Sequence, residues 1–352
     1  MRDALRALMS SRMLAKWLKL CIFLLILTCC AAAALSIIRR SSFQRAIKTA
    51  IYGTGIIFDN ELIARVASGD SVDPYRYNWL VNQANFCTAS YTNLKFLIIV
   101  HSAVDHFMNR LVLRQIYGTN YYKQYNCVML FVLGRPAKTI VQRQIEEEAG
   151  IFNDIIQQDF IDSYRNLTWK AIAWLRFVSE HCIHVKYVIK IDDDVLFNIF
   201  TLVDFLNKSE VGMENAQKTI ICRVIRNRKV QRNSKNKWYV RRNELVGKYY
   251  LPYCVGMAIV ISGNTAASLL EASTGEGYFW IDDYFITGIL AAKTGASFVD
   301  LGKKNVVVHE SEGSEQDFVS GKILFRLFSN IIHARHIWEK LRKARALSDT
   351  EK

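Results

Sequence analysis

The strongest constraint on the fold lies at residues 185–198, where alternating apolar residues lead directly into three consecutive aspartates. The apolar members of this run are Val185, Tyr187, Ile189 and Ile191. Such alternation is typical of a β-strand with one face against a core. Asp192, Asp193 and Asp194, called the aspartate triplet below, follow where that strand should end. Because ligands of open α/β sheets bind beyond the carboxyl ends of the strands, the triplet is a candidate binding site.

The chemistry of the triplet allows two interpretations. Three adjacent carboxylates repel one another unless a cation or hydrogen-bond donors neutralise their charge. Carboxylate oxygens are hard ligands, which favours Mg²⁺ or Mn²⁺. An acidic turn that caps the helix beginning near Asn198 is the alternative, and the triplet by itself does not separate the two.

The segments around this stretch alternate between strands and helices. Continuous apolar runs at 96–100 and 128–133 are typical of strands buried on both faces. Helical spacing follows at 139–149, and a longer helix is expected after Asp162 or Ser163. This alternation predicts an α/β fold with a mostly parallel central sheet flanked by helices. Further along the chain, the patterns predict strands at 219–222, 238–240 and 253–261 and helices at 264–272, 283–293 and 327–346.

The N-terminal part predicts a membrane anchor. Residues 20–38 carry no charge and are about long enough to cross a bilayer as a helix. A cleaved signal peptide is the alternative, but the apolar run exceeds a usual signal-peptide core, which favours an uncleaved signal-anchor. Basic residues flank the run on both sides, so charge sets its orientation only weakly. We therefore expect a tail at 1–19, a transmembrane helix at 20–38, a stem at 39–92, a folded domain at 93–346 and a C-terminal tail at 347–352.

The net charge of +14 raises nucleic acid as a partner. The basic residues are scattered, however, and no basic helix or zinc-finger pattern occurs, so nucleic acid is not expected. The densest basic cluster lies at 223–242. With a membrane anchor upstream, an anionic small molecule or a lipid surface is the better partner for this cluster, and a solvated loop is the alternative.

Only the cysteines outside the apolar run at 20–38 can belong to a disulfide framework of a secreted or lumenal domain. Three of the eight lie inside the apolar run, at Cys21, Cys29 and Cys30. The five that remain are an odd number, so at least one stays free or pairs between chains. No CxxC spacing exists, so a zinc site is not expected. Asn166 and Asn207 begin glycosylation sequons, which have meaning only in a secretory compartment.

Seven separate segments point to one family. They are 110–117 (RLVLRQIY), 131–134 (FVLG), 154–168 (DIIQQDFIDSYRNLT), 190–195 (KIDDDV), 237–239 (KWY), 250–256 (YLPYCVG) and 282–288 (DDYFITG). With these segments in this order, the chain resembles the β-1,3-glycosyltransferases of glycosyltransferase family 31. That family includes β-1,3-galactosyltransferases and β-1,3-N-acetylglucosaminyltransferases, and the resemblance runs from about residue 93 to residue 295.

The resemblance implies a nucleotide-sugar-binding α/β domain of the GT-A type, which would make 93–346 the catalytic domain. It implies a single-pass type II protein of the Golgi membrane, with the catalytic domain in the lumen. The implied reaction is an inverting, Mn²⁺-assisted transfer from UDP-galactose or UDP-N-acetylglucosamine to an acceptor glycan on protein or lipid, in β-1,3 linkage.

The resemblance also assigns roles to two groups of aspartates. Asp194 would be the direct metal ligand, and Asp192 or Asp193 would contact the ribose hydroxyls or metal-bound water. Inversion needs a base on the face opposite the leaving UDP. By resemblance that base is Asp283. Asp282 would orient the base or touch hydroxyls of the donor sugar, unless it is only the N-cap of the following helix.

Other side chains carry weaker predictions. Arg110 and Arg114 lie one helical turn apart and could reach the uracil or the phosphates, although plain surface arginines are the alternative. Gly256 would let a backbone come close to the donor or to a neighbouring strand. Trp238 and Tyr253 could stack on sugar rings, but core packing is the favoured role for each.

A histidine near the C-terminus often completes the metal site of such enzymes. His333 is the favoured candidate here, with His336 and His309 as alternatives and packing on a helix face as the ordinary role of each. Three cysteines match family positions and are expected to be bridged, with the pairing left open: Cys182, Cys222 and Cys254.

One other function fits the same scaffold. A catalytically inactive lumenal protein could bind a glycan or a partner enzyme. The presence of both Asp194 and Asp283 favours the enzyme, because a binding module has no use for a base opposite the donor.

Overall fold

The computed structural model describes residues 63–67, 69–209 and 218–350. The expected signal-anchor at 20–38 and the cysteines within it lie outside these ranges. Within the described residues, none of the helices combines the length and the apolar character that a bilayer crossing requires.

A mixed α/β architecture is built around one large sheet. In chain order the strands are β1 (Arg65–Val66), β2 (Trp79–Val81), β3 (Phe96–His101), β4 (Cys127–Arg135), β5 (Ile155–Ile161), β6 (Tyr187–Asp192), β7 (Val195–Phe197), β8 (Thr219–Ile225), β9 (Leu245–Val246), β10 (Tyr253–Ser262), β11 (Ser297–Asp300), β12 (Val306–Val307) and β13 (Phe325–Leu327). Eight of them form the central sheet, in the order β11-β8-β10-β6-β3-β4-β5-β2.

Helices cover this sheet and connect its strands. They are α1 (Phe107–Ile116), α2 (Tyr122–Tyr125), α3 (Thr139–Phe152), α4 (Leu167–His181), α5 (Ile199–Ser209), α6 (Gly263–Ser273), α7 (Asp282–Tyr284), α8 (Ala291–Thr294), α9 (Gly302–Asn305), α10 (Glu315–Val319) and α11 (Ile331–Thr350). Short turns of other helix types occur at Phe86–Ser90, Tyr164–Asn166, Phe285–Leu290 and Glu310–Glu312.

The middle of the sheet is parallel, as the alternation of strands and helices predicted. Strands β6, β3, β4 and β5 run in one direction, and β11 is parallel to β8. Strand β10 lies antiparallel between β6 and β8, and β2 is antiparallel to β5 at the edge. All six residues of β3 are buried, which confirms that this strand is covered on both faces. Each large apolar side chain buried in this way contributes roughly 1.5–3 kcal/mol.

Order begins earlier than the residue near 93 where the sequence placed it. Strand β2 pairs with β5 through Trp79 and Val81, and Cys87 forms a disulfide with Cys182 at the end of α4. An edge strand of three residues is too short to show a period in the sequence, so β2 could not be predicted from its pattern. The division into tail, anchor, stem and catalytic domain stays a prediction.

Two local expectations differ from the structure. Strand β5 was not expected, because Gln157 and Gln158 interrupt its apolar pattern although both are buried. Gln157 satisfies its amide by donating to Gly134 O and Gln142 Oε1. Conversely, the strand expected at 238–240 is absent, since this segment is held in turns by backbone and side-chain hydrogen bonds.

The cysteine pairing is settled among the described residues. Cys222 on β8 is bridged to Cys254 on β10, which joins two neighbouring strands, in addition to the Cys87–Cys182 bridge. Cys127 is the odd thiol, and at 1% exposure on β4 it lies inside the core. It therefore offers no surface thiol for a disulfide between chains.

Candidate active site

The aspartate triplet lies at the carboxyl end of two neighbouring parallel strands. His101, the last residue of β3, is the register partner of Asp192, the last residue of β6. Asp193 follows in a turn, and its backbone N–H donates to His101 O at 3.1 Å. The triplet is thus placed at the sheet edge where the sequence expected a ligand to bind.

The three aspartates have different surroundings. The Oδ2 atom of Asp193 accepts from Ser102 Oγ at 2.7 Å and from Ala103 N at 3.3 Å, and it lies 2.9 Å from His106 Nδ1. Asp192 Oδ1 accepts from Lys190 Nζ at 2.6 Å, and its side chain is 40% exposed. Asp193 is therefore held by the protein itself, whereas Asp192 keeps solvent access.

Asp194 carries the unsatisfied atom of the triplet. Its Oδ1 is buried and has no hydrogen-bond partner in the described part of the chain. Burial raises the pKa of Asp194 to about 6, and the negative charges of Asp192 and Asp193 add to this effect. A buried carboxylate oxygen without a donor is costly, and a cation would satisfy it. Asp194 thus fits a divalent ion that takes one or two carboxylates and completes its coordination with phosphate and water oxygens.

The expected third ligand is not brought to this place. His333 on α11 has its Nε2 atom 2.6 Å from Glu315 Oε1. Over residues 63–67, 69–209 and 218–350, no three His, Cys, Asp or Glu side chains gather into a metal-binding group. The structure does not gather Asp194, Asp192 and His333, because the helix that carries His333 pairs it with an acid of α10. A joint role of the three in metal binding stays a prediction.

A second carboxylate pair lies at the start of α7. Asp283 packs against Gly256 of β10, where an added Cβ would be 3.0 Å from Asp283 Cβ and 3.2 Å from its Oδ2. Asp282 Oδ2 is 3.7 Å from His101 Nδ1, and its side chain is 16% exposed. The N-cap of α7 is Ile281, and no side chain caps it. Asp282 is therefore not the N-cap that the sequence left open as an alternative.

The pKa values of both Asp282 and Asp283 are raised, which favours their neutral, protonated forms. Burial raises the pKa of Asp283 to about 7, and the adjacent charge of Asp282 contributes. Burial also raises the pKa of Asp282, with Asp192 adding to the shift against the opposing charge of Lys190. A carboxylate whose pKa lies near the working pH is well matched to general base catalysis.

Lys190 connects the two carboxylate groups, and the sequence assigned it no role. Its buried ammonium donates to Asp192 Oδ1 at 2.6 Å and to Gly256 O at 2.6 Å. Burial alone would lower the pKa of Lys190, but the carboxylates of Asp192 and Asp282 outweigh it and raise the pKa. A lone lysine inside an otherwise apolar strand was the available signal, since a buried cation needs a nearby anion.

His101 is a further residue that the sequence did not single out. It is 6% exposed, and burial, followed by the charges of Lys190 and Lys170, holds its pKa well below the usual range. The imidazole is therefore neutral near pH 7. Its Nε2 is buried without a partner in the described residues, at the strand end beside Asp282.

The two arginines expected at the donor are engaged elsewhere. Arg110 is fully buried and donates to both carboxylate oxygens of Glu148, with distances of 2.7 Å and 2.9 Å for the shortest pairs. Arg114 binds Asp154 through two hydrogen bonds of 2.8 Å. Arg110 also donates to Ser102 Oγ at 3.1 Å, which links it to the support of Asp193. Neither arginine is the plain surface residue of the alternative, and a direct contact with uracil or phosphate stays a prediction.

The two aromatic candidates separate clearly. Tyr253 is buried, as core packing predicted. Trp238 is 43% exposed, and its Nε1 donates to the hydroxyl of Tyr164 at 2.9 Å. Burial raises the pKa of Tyr164, and the charges of Asp283 and Asp282 act in the same direction. The exposed Trp238–Tyr164 pair therefore belongs to the rim of this site.

We expect Gly256→Ala to lower kcat about tenfold to hundredfold, because the added Cβ displaces the Asp283 carboxyl by several tenths of an ångström. The KM for the donor should change little. Gly150→Ala on α3 is the matched control, since an added Cβ there meets nothing within 4 Å and alanine favours a helix. Steady-state kinetics of both variants decide: wild-type kcat in Gly256→Ala would contradict the placement of Asp283.

The pH profile offers a separate check. If Asp283 is the base, it accepts a proton only when ionised, so kcat/KM should rise about tenfold per pH unit below its pKa of about 7 and level off above it. Because Asp282 helps to raise that pKa, Asp282→Asn should move the acidic limb to lower pH. Values of kcat/KM measured between pH 5 and 9 give the pH at which the acidic limb begins, even if the variant lowers the plateau. An unmoved limb in Asp282→Asn would separate the base from this pair.

Comparison with known proteins identifies the family of this chain. The profile of the galactosyltransferase family matches residues 108–302, more than half of the chain. The chain therefore belongs to this family, and the resemblance to β-1,3-glycosyltransferases is confirmed. It is a hexosyltransferase.

Two similar human proteins share about a third of the aligned residues with this chain. The chain is 29% identical over 279 residues to human beta-1,3-galactosyltransferase 1, covering 78% of this chain and 83% of the relative. It is 34% identical over 229 residues to human lactosylceramide 1,3-N-acetyl-beta-D-glucosaminyltransferase, covering 62% of this chain and 59% of the relative. Among solved structures, the bifunctional glycosyltransferase WbbM covers 68% of this chain and is itself covered to 46%, with 10% identity and a TM-score of 0.37, a likeness too weak to carry an argument.

Proposed function

We propose that this protein transfers galactose or N-acetylglucosamine from a UDP-sugar to an acceptor glycan on protein or lipid, in β-1,3 linkage and with inversion. The observation that carries the proposal is the Asp283 carboxyl, which lies against Gly256 with a pKa of about 7. Lys190 separates it from a second carboxylate group that has an unsatisfied buried oxygen on Asp194. One group is suited to a proton and the other to a cation.

The donor side of the reaction belongs to the triplet. Asp194, with Asp192 beside it, would hold a divalent ion, which we propose is Mn²⁺. When bound, such an ion supplies Lewis-acid stabilisation of the negative charge that develops on the departing UDP. Asp193 fixes the turn that presents Asp194, because its carboxylate ties the turn to Ser102 and His106.

The acceptor side belongs to the Asp282–Asp283 pair. Inversion requires the acceptor hydroxyl to attack from the face opposite UDP, and a base must take its proton there. Asp283 is that base in our proposal. Lys190 limits the repulsion between Asp192 and the pair, and the neutral His101 leaves Asp282 without a second buried cation beside it.

A GT-A-type domain anchored as a type II protein in the Golgi membrane is the setting we propose. The apolar run at 20–38 and the family resemblance support it. The two disulfides add support, because such bridges persist mainly in oxidising compartments such as the secretory pathway.

The test is UDP release by the full chain in detergent, with Mn²⁺ and a panel of acceptor glycans. UDP-galactose and UDP-N-acetylglucosamine are offered in parallel, and the product linkage is read by NMR. We expect turnover of one of the two donors and its loss on chelation. UDP binding by calorimetry without turnover of either donor would favour the inactive binding protein instead.

A further inference from the structure

Residues 226–249, called the basic loop below, connect β8 to β10 and have no role in the proposed reaction so far. The loop carries nine lysines and arginines against one acid, Glu244. Such an imbalance on a surface segment repels itself unless anions approach it. The function of the loop depends on which groups it faces and on whether nearby acids compensate its charges.

The basic loop has a defined conformation. The guanidinium of Arg232 donates to Val240 O at 2.8 Å, Leu245 O at 2.7 Å and Gly247 O at 3.0 Å, which closes the loop around one side chain. Its acid, Glu244, is paired with Arg165 from outside the loop. The remaining cations are therefore presented at set positions and not on a free tail.

The loop borders the acceptor side of the site. Trp238 of the loop donates to the Tyr164 hydroxyl, and the Tyr164 ring is 5.9 Å from that of Trp280, two residues before Asp282. Tyr250 directly follows the loop. Burial raises the pKa of its hydroxyl, the charge of Asp283 raises this pKa further, and the charge of Arg228 lowers it. The middle of the basic loop and the residue that follows its C-terminal end thus lie near groups beside the proposed base.

Most of its charge is uncompensated. Arg226 pairs with Asp300, and Arg232 is used by backbone carbonyls. Seven other cations of the loop are exposed and have no carboxylate within 4.0 Å among residues 63–67, 69–209 and 218–350: Arg228, Lys229, Lys235, Lys237, Arg241, Arg242 and Lys248. Burial and then the nearby charge of Arg242 lower the pKa of Arg232, as expected where like charges crowd.

Exposed aromatics stand next to these cations. Trp238 is 43% and Tyr164 50% exposed, and Lys237 Nζ lies 4.4 Å from the centre of the Trp238 ring. An exposed aromatic face suits the apolar face of a sugar ring, whereas unpaired cations suit acidic substituents. A neutral glycan would use the rings and leave the charges without a partner.

We propose that the basic loop binds the acceptor and that the acceptor glycan is anionic, with sulfate or carboxylate groups on the sugars next to the reacting hydroxyl. This inference rests on the proposed transferase function. It assigns Trp238 and Tyr164 to the sugar ring, and Arg241 and Arg242 to its acidic groups.

The test compares three acceptors that share one disaccharide core: the neutral form, its sulfated derivative and its counterpart with a uronic acid. Transfer by the full chain in detergent is measured at low and high salt. We expect kcat/KM at least about tenfold higher for one or both anionic acceptors, and this advantage should shrink as salt screens the charges. The two anionic arms tell sulfate from carboxylate recognition.

Charge reversal locates the effect. The double variant Arg241→Glu/Arg242→Glu should lower kcat/KM for the anionic acceptor at least about tenfold and abolish its advantage over the neutral one. The control Arg143→Glu/Lys343→Glu makes the same change of charge at two exposed positions on α3 and α11 and should leave both values unchanged.

The outcomes are distinguishable. Equal kcat/KM for neutral and anionic acceptors, or an equal effect of both double variants, overturns the inference and leaves the transferase intact. An equal loss in acceptor-free UDP-sugar hydrolysis in the loop variant also overturns it, because the cations would then bind the UDP phosphates. Loss of binding to vesicles of anionic lipid with unchanged acceptor kinetics would assign the loop to a membrane. No turnover with any acceptor contradicts the proposed function itself.

Discussion

Asp283→Asn should lower kcat about a thousandfold while UDP and Mn²⁺ still bind. The amide has the size of the carboxyl and can still lie against Gly256, but it cannot accept a proton from the acceptor hydroxyl. General bases contribute on the order of a hundredfold to ten-thousandfold to such reactions, and this variant removes that contribution alone. Saturating kinetics give kcat, and calorimetry gives the affinity for UDP with Mn²⁺.

The matched control is Asp204→Asn, the same change at an exposed position on α5. It should keep full activity. Circular dichroism and thermal melting should show both variants folded. Turnover within a few-fold of wild type in Asp283→Asn would assign the base to another residue, and a loss of UDP affinity would move Asp283 to the donor side.

Asp194→Asn should abolish metal-dependent turnover and yet leave the metal-free protein at least as stable as wild type. Folding raises the pKa of Asp194 to about 6, so its charged form is disfavoured in the native state. The resulting loss of stability develops as pH rises from the ordinary carboxyl range to about 6 and is complete at pH 7.5. Asparagine removes that charge, so the Tm without metal should be equal or higher.

Adding Mn²⁺ and UDP should reverse the order. Ligands that bind only the native state raise the Tm, so wild type should gain stability and Asp194→Asn should not. Asp193→Asn is the neighbouring control with the opposite sign: it weakens the acceptor of Ser102 Oγ and Ala103 N and should lower the Tm without metal. An equal ligand-induced gain in wild type and Asp194→Asn would show that the ion binds elsewhere.

Several features of the fold could be predicted because they are local. The apolar runs at 96–100 and 128–133 and the alternation at 185–191 all mark strands of the central sheet. The alternation predicted one buried face, whereas the structure buries both faces of this strand, which lies inside the sheet between β10 and β3. Carboxyl ends of parallel neighbours meet at one edge, so placing the triplet after such a strand also predicted its position. Family motifs added Asp283, which no periodicity would have found.

Other features depend on partners far away in the chain. Asp193 is held by Ser102 and His106, 91 and 87 positions earlier, and nothing in three identical residues marks the middle one as occupied. Arg110 has a buried partner in Glu148, 38 positions later, which the helical pattern around it did not show. The role of Lys190 becomes apparent only in the fold, where β10 pairs with β6 and brings Gly256 O within hydrogen-bond distance of the Lys190 ammonium.

The sequence alone therefore determined the α/β class and the strand that leads into the aspartate triplet. It also singled out the triplet and the Asp282–Asp283 pair, whose roles in the reaction stay predictions. Only the tertiary structure decided which of these side chains are available to a ligand. Asp194 Oδ1 has no hydrogen-bond partner among the described residues, whereas the Asp193 carboxylate accepts a hydrogen bond from Ser102 and His333 is paired with Glu315. The physical reason is that strand formation depends on neighbours in sequence, whereas the charge state and availability of a carboxylate depend on which donors the fold brings within about 3 Å.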